Sequence, residues 1–136
     1  MGDFKVIIAG GREFNDYTLL VESCDKLLAN KQPNIEIVNG GANGADRLGG
    51  KYAIQKGYKM KPFHADWDDV DERADSELGR KNGRVYWKYA GHARNLEMAQ
   101  YADAAIVFWD GASTGTKNMI DSAKEEGITV KVVRYD

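Results

Sequence analysis

The chain has 136 residues, of which 43% are hydrophobic, a single cysteine and a formal net charge of −2. That length supports one compact core and is too short for two ordinary domains, so residues 1–136 are read as a single domain. The charge supplies no general attraction to a polyanion, the lone Cys24 excludes an intrachain disulfide, and no apolar run approaches membrane-spanning length.

Met1-Gly2-Asp3-Phe4-Lys5 leads straight into a strand without an apolar signal region, as expected of a soluble cytoplasmic protein. Gly2 after Met1 has the start of an acylation signal, but Val6 stands where such a signal carries Ser or Thr. Phe4 to Ala9 reads as a buried first strand. From Asn15 or Asp16, either a good N-cap, apolar residues recur at helical spacing through Leu28, and the segment from Asn30 to Asn34 with Pro33 closes the helix. Cys24 falls on its apolar stripe with Tyr17, Leu20, Val21, Leu27 and Leu28, which makes it a small core residue rather than a reactive thiol. Ile35 to Val38 is a short second strand. A second helix begins at Gly44 or Ala45, keeps Leu48, Tyr52 and Ala53 on one face and stops at Gly57. Tyr58 to Phe63 is the third expected strand, with Met60 facing inward and Phe63 a second candidate for that face.

Ala65 to Gly91 is harder to assign. Seven acids from Asp66 to Glu77 precede Arg80, Lys81, Arg84 and Lys88, which are interleaved with Tyr86, Trp87 and Tyr89. So long a connection is usually functional or partly helical, and a mobile excursion over the sheet edge is expected. His92 to Ala102 then reads as a helix and Ala104 to Trp109 as a central strand, apolar on both faces. Thr116 to Glu126 forms the last helix, with Met119, Ile120 and Ala123 inward and Gly127 as its stop. Ile128 to Val133 completes the sheet, and the outward Lys131 suits an edge position. Strand and helix alternate about five times, the pattern of a doubly wound α/β three-layer sandwich with a mostly parallel five-stranded sheet.

Three glycine-rich turns follow strands, and parallel strands would gather them at the carboxyl edge, where open α/β folds bind ligands. Gly10-Gly11 lets backbone approach a ligand, and Arg12 adds a planar cation suited to phosphate or carboxylate. Gly40-Gly41-Ala42-Asn43-Gly44 precedes a helix whose free N–H groups favour an anion. Asp46, in its first turn, either balances the helix dipole or accepts a ribose or base hydrogen bond. Asp110-Gly111-Ala112-Ser113-Thr114-Gly115-Thr116 repeats the device, with hydroxyls beside the amides and Thr114 or Thr116 as a candidate N-cap. Two such turns on adjacent strand ends strengthen the case for an anion site. Neither the P-loop nor the Gly-x-Gly-x-x-Gly spacing is present, so an ATPase or an NAD dehydrogenase is not supported. His64 and His92 lack zinc-ligand spacing, and the acidic run lacks an ordered Mg2+ pattern. No cofactor is expected beyond Mg2+ accompanying a phosphorylated ligand.

Several blocks occur in order: Ile37 to Leu48, Ala65-Asp66-Trp67, Ala90 to Met98 with Arg94-Asn95, Ala102 to Phe108, and Gly111 to Thr116. Together they resemble the SLOG superfamily, which joins DprA-like DNA-processing proteins to LOG-type nucleotide phosphoribohydrolases, and within it the YspA-like branch related to YpsA. The resemblance implies a Rossmann-like fold and a pocket for a nucleotide or nucleotide-derived ligand. Its blocks place in that pocket Gly10, Gly11 and Arg12; Gly40, Gly41, Ala42, Asn43, Gly44 and Asp46; Arg94 and Asn95; and Asp110, Gly111, Ser113, Gly115 and Thr116. Asp66 and Trp67 match a further block and meet a sugar or base, although Trp67 is equally suited to packing. LOG-type hydrolases carry Pro-Gly-Gly-x-Gly-Thr-x-x-Glu; here Asp110 replaces the Pro and Met119 the acid. Binding is therefore expected over hydrolysis, by a sensor or sequestering protein. The alternatives are a LOG-type N-glycosidic hydrolase using Asp46, Asp66 or Asp110, and single-stranded nucleic-acid binding through the Arg80 to Tyr89 stretch. Nucleic acid is nevertheless set aside as a partner because of the net charge and the acidic run, while self-association into a dimer or larger homo-oligomer is expected.

Overall fold

In chain order the strands are β1 (Phe4–Gly10), β2 (Ile35–Asn39), β3 (Lys59–Pro62), β4 (Leu78–Lys81), β5 (Arg84–Trp87), β6 (Ala104–Trp109) and β7 (Thr129–Arg134). The helices are α1 (Tyr17–Leu27), α2 (Ala45–Lys56), α3 (Ala90–Tyr101) and α4 (Thr114–Glu125). This computed structural model describes residues 2–136, and Met1 lies outside the described residues.

Alternation along β1 dictates the architecture. Val6 and Ile8 point into a core closed by Leu20 and Cys24 of α1 and Tyr52 and Ala53 of α2. Ile7 and Ala9 point the other way, into a core built with Met98 and Ala99 of α3 and Met119, Ile120 and Ala123 of α4. A strand that is apolar on both faces requires a helical layer on each side of the sheet. The result is the expected doubly wound α/β three-layer sandwich. Its five strands run in the order β3-β2-β1-β6-β7, every neighbouring pair parallel. Lys131 lies on β7, an edge strand, as its alternation implied. Cys24 is fully buried, and that burial pushes its thiol up to about 12.

Several expectations need correction. Leu27 and Met60 are 37% and 44% exposed, so neither is core. Leu27 falls in the last turn of α1, one residue before the buried Leu28, and Met60 lies on the edge strand β3. The segment between Ala65 and Gly91 is structured by a 3-10 turn at Asp75–Glu77 and an antiparallel hairpin of β4 and β5. Asn82 and Gly83 join the hairpin with φ of 53° and 75°, the paired positive angles that a tight hairpin loop requires. That Asn-Gly pair was the unread signal. Helix α4 starts at Thr114, with Ser113 rather than a threonine as its N-cap. Finally, β1 separates β2 from β6, so the second and third glycine-rich turns are not on adjacent strands.

Candidate functional site

The strand order reverses between β1 and β6, and the carboxyl ends of strands at such a reversal open a crevice. Here the crevice is a cleft of about 480 Å3. Its walls include Gly10 at the end of β1, Gly11 and Arg12 after it, and Asp110, Ser113, Gly115 and Thr116 after β6.

The first two turns are locked together. Gly44 has φ +76°, and a Cβ there would run into the Gly11 carbonyl and the Arg12 backbone. The next amide, Ala45 N–H, donates to Gly11 O at 3.2 Å. The first free donor of α2 is thus used by protein. So are three amides of the second turn: Gly40 and Ala42 both donate to Asp46 Oδ2 at 3.2 Å, and Gly41 donates to Asn39 Oδ1 at 3.1 Å. Asp46 occupies from within the cradle that the sequence offered to an anion. It is 6% exposed, and burial raises its pKa to about 6 against the opposing amide bonds and the charges of Arg94 and Arg12.

Arg94 reaches this turn from α3. Its Nη1 donates to Gly40 O at 2.8 Å, and a Cβ on Gly40 would lie only 2.5 Å from that nitrogen, so a side chain there would displace the guanidinium. Burial lowers the Arg94 pKa, while the Asp46 carboxylate opposes the shift. Arg94 Nε also donates to Asn95 Oδ1 at 3.2 Å. Asn95 Nδ2 in turn donates to Asn118 Oδ1 at 2.9 Å, tying α3 to α4.

The third turn keeps donors available. Asp110 Oδ1 accepts from the Ala112 and Ser113 amides, both at 2.8 Å, and these bonds lower its pKa. Ser113 Oγ accepts from Thr116 N at 3.4 Å. At a helix start the amides of Thr114 and Gly115 have no intrahelical acceptor, and both residues line the cleft. The start of α4 thus presents open amides to the cleft, which Arg12 and Arg94 also line.

Of the residues singled out in the sequence, Ala42, Asp46, Trp67, Arg94 and Asn95 also line this cleft. Gly40, Gly41 and Asn43 line a smaller neighbouring recess with His64. Asp66 is exposed and lines neither, Gly111 packs beside Arg134, and Gly44 is a contact between turns. Trp67 is 38% exposed and meets Tyr86 edge-on. Sequence reasoning missed Glu13, Lys88, His92 and Tyr135 on the cleft wall. Lys88 carried a signal in the basic-aromatic stretch and His92 one in the Ala90 to Met98 block, whereas Glu13 and Tyr135 carried none. Met119 lines the cleft at 2% exposure, so the position that bears the acid in LOG-type motifs does face the site, and here it holds a thioether. Among the described residues no three His, Cys, Asp or Glu side chains converge as metal ligands.

Fold and crevice together define a Rossmann-like α/β domain with an open crevice at the β1–β6 reversal. Residues 4–69 match the profile of the family described as YAcAr: YspA, cpYpsA-related SLOG family. The "Gene 61 protein" of Mycobacterium phage D29 is 30% identical over 130 residues, 93% of each chain. The chain belongs to this SLOG family. Among solved structures, DNA processing protein A (DprA) of Streptococcus pneumoniae has a TM-score of 0.69 at 21% identity, covering 99% of this chain and 51% of its own. DprA of Helicobacter pylori, described for its single-stranded DNA binding mode, has a TM-score of 0.65 at 21% identity, covering 99% and 67%. The chain thus spans about half the length of the pneumococcal DprA. The expectation that set nucleic acid aside as a partner is overturned here: the same fold occurs in a protein described as binding single-stranded DNA. Net charge sums over the whole chain, whereas a strand meets only a local surface. No helix among the described residues is long and apolar enough to cross a membrane.

Proposed function

We propose that the protein binds a nucleotide, or a molecule derived from one, through its phosphate in the β1–β6 crevice, as a sensing or sequestering domain. One observation carries this reading: the available amides of Thr114 and Gly115 share the crevice with Arg12 and Arg94. Helix-start amides and guanidinium groups are the donors that phosphate oxygens select. The buried Met119 at the acid position supports retention over hydrolysis of the N-glycosidic bond.

The test is mass spectrometry of small molecules that stay with the purified protein, compared with Arg12→Ala, an exposed position. A phosphorylated nucleoside compound retained by the parent chain and lost from the variant is the expected result. Equal retention by both would overturn the crevice assignment. Incubating the protein with nucleoside monophosphates and NAD-like compounds separates binding from hydrolysis, and release of free base would establish an enzyme. A second reading, binding of a single strand, is favoured by the likeness to the Helicobacter pylori DprA. Salt-dependent anisotropy of a labelled oligonucleotide tests it, and no binding at low salt would sink it.

A further inference from the structure

The hairpin of β4 and β5 builds a second groove against the mouth of the crevice. At about 830 Å3 it is larger than the crevice itself, and Arg12, Trp67 and Lys88 line both. Lys81, Arg84 and Tyr86 form its far side. The hairpin is fastened to the Trp67 segment in two ways: Trp87 N–H donates to Trp67 O at 2.8 Å, and Arg84 pairs with Asp68. The groove is therefore held in register with the crevice rather than merely lying near it.

Its chemistry is specific in kind. Trp67 and Tyr86 meet at 6.1 Å with their planes 70° apart, edge to face rather than stacked, so the pair leaves ring faces that it does not itself use. Lys81, Arg84 and Lys88 are exposed around them. Aromatic faces beside cations suit a base together with a phosphate.

Resting on the crevice reading above, we propose that the hairpin groove is a second subsite for a ligand made of two nucleoside units joined through phosphate. The first phosphate lies in the crevice at α4, Arg12 stands beside the linkage, and the second base meets Trp67 or Tyr86. Two sources share that chemistry: a pyrophosphate-linked dinucleotide and a phosphodiester step of a strand.

Calorimetric titration with adenosine monophosphate, diadenosine diphosphate and the 5′-phosphorylated deoxyadenosine dinucleotide tests the subsite and tells the sources apart. The parent chain should bind one of the two-unit ligands about tenfold more tightly than the monophosphate, a gain on the scale of one stacked base. Tyr86→Ala should remove that preference and leave monophosphate binding unchanged. Because Tyr86 packs over Gly79, Lys81→Ala provides a second variant confined to an exposed position outside the hairpin's fastenings, and the same loss of preference is expected. Equal affinity for one and two units, or a preference that survives both variants, would overturn the subsite while leaving the crevice intact. Failure of all three ligands to bind would overturn the crevice reading and the subsite with it.

Discussion

Asp46 is the residue on which the site turns. Its carboxylate holds the Gly40 and Ala42 amides and lies in the field of Arg94, yet burial dominates and keeps its pKa near 6. The folded state therefore binds this proton more tightly than the unfolded chain, whose value is near 3.8. By linkage, the stability that the protonated group contributes is full below about pH 4 and is lost as pH rises through about 6. Urea denaturation across that window should show Asp46→Asn gaining on the parent chain with rising pH, by on the order of 2–3 kcal/mol. A flat difference would mean that the carboxylate is ionised throughout. Legibility at this scale was mixed. Asp46 was visible as a first-turn acid, but no spacing rule says that it reaches back four and six residues to fill its own turn.

At the scale of elements, two junctions shape the crevice. Gly44 joins the first turn to α2 at a positive φ where a side chain would strike backbone. Gly44→Ala should cost at least ~2 kcal/mol, combining an unfavourable dihedral with a displaced neighbour, as read from urea midpoints. Ser113 caps α4, so Ser113→Ala should cost about 1 kcal/mol by the same measurement. That variant also frees the Thr116 amide beside the proposed phosphate, so ligand affinity should fall less than stability. The helices and inner strands were readable because their apolar spacing is local. The hairpin was readable in principle from Asn82-Gly83, but the flanking charges masked its strands, since neither face is deeply buried.

At the scale of the whole molecule, the sheet and the hairpin should separate in their dynamics. β1 and β6 lie between covered faces, whereas β4 and β5 form a two-stranded sheet of their own, and isolated hairpins are marginal. Hydrogen exchange should label residues 78–87 well before residues 4–10 and 104–109, and equal protection would contradict this division. Phe108 joins the strands to the site's support: it stacks on Phe14 at 4.8 Å, and Phe14 in turn meets Tyr135 at 4.7 Å. Phe108→Ala should cost about 3–5 kcal/mol in global stability, measured by denaturation.

The sequence by itself determined the layer order of strand and helix, the two-sided burial of β1 and β6, and the glycine-rich turns at the carboxyl edge. Each of these follows from periodicity and backbone freedom over a few neighbouring residues. Only the tertiary structure decided which turn keeps its amides available. That depends on Asp46 folding back onto the Gly40 and Ala42 amides and on Gly11, from a separate segment, accepting from Ala45 N–H, while the Thr114 and Gly115 amides of α4 have no intrahelical acceptor.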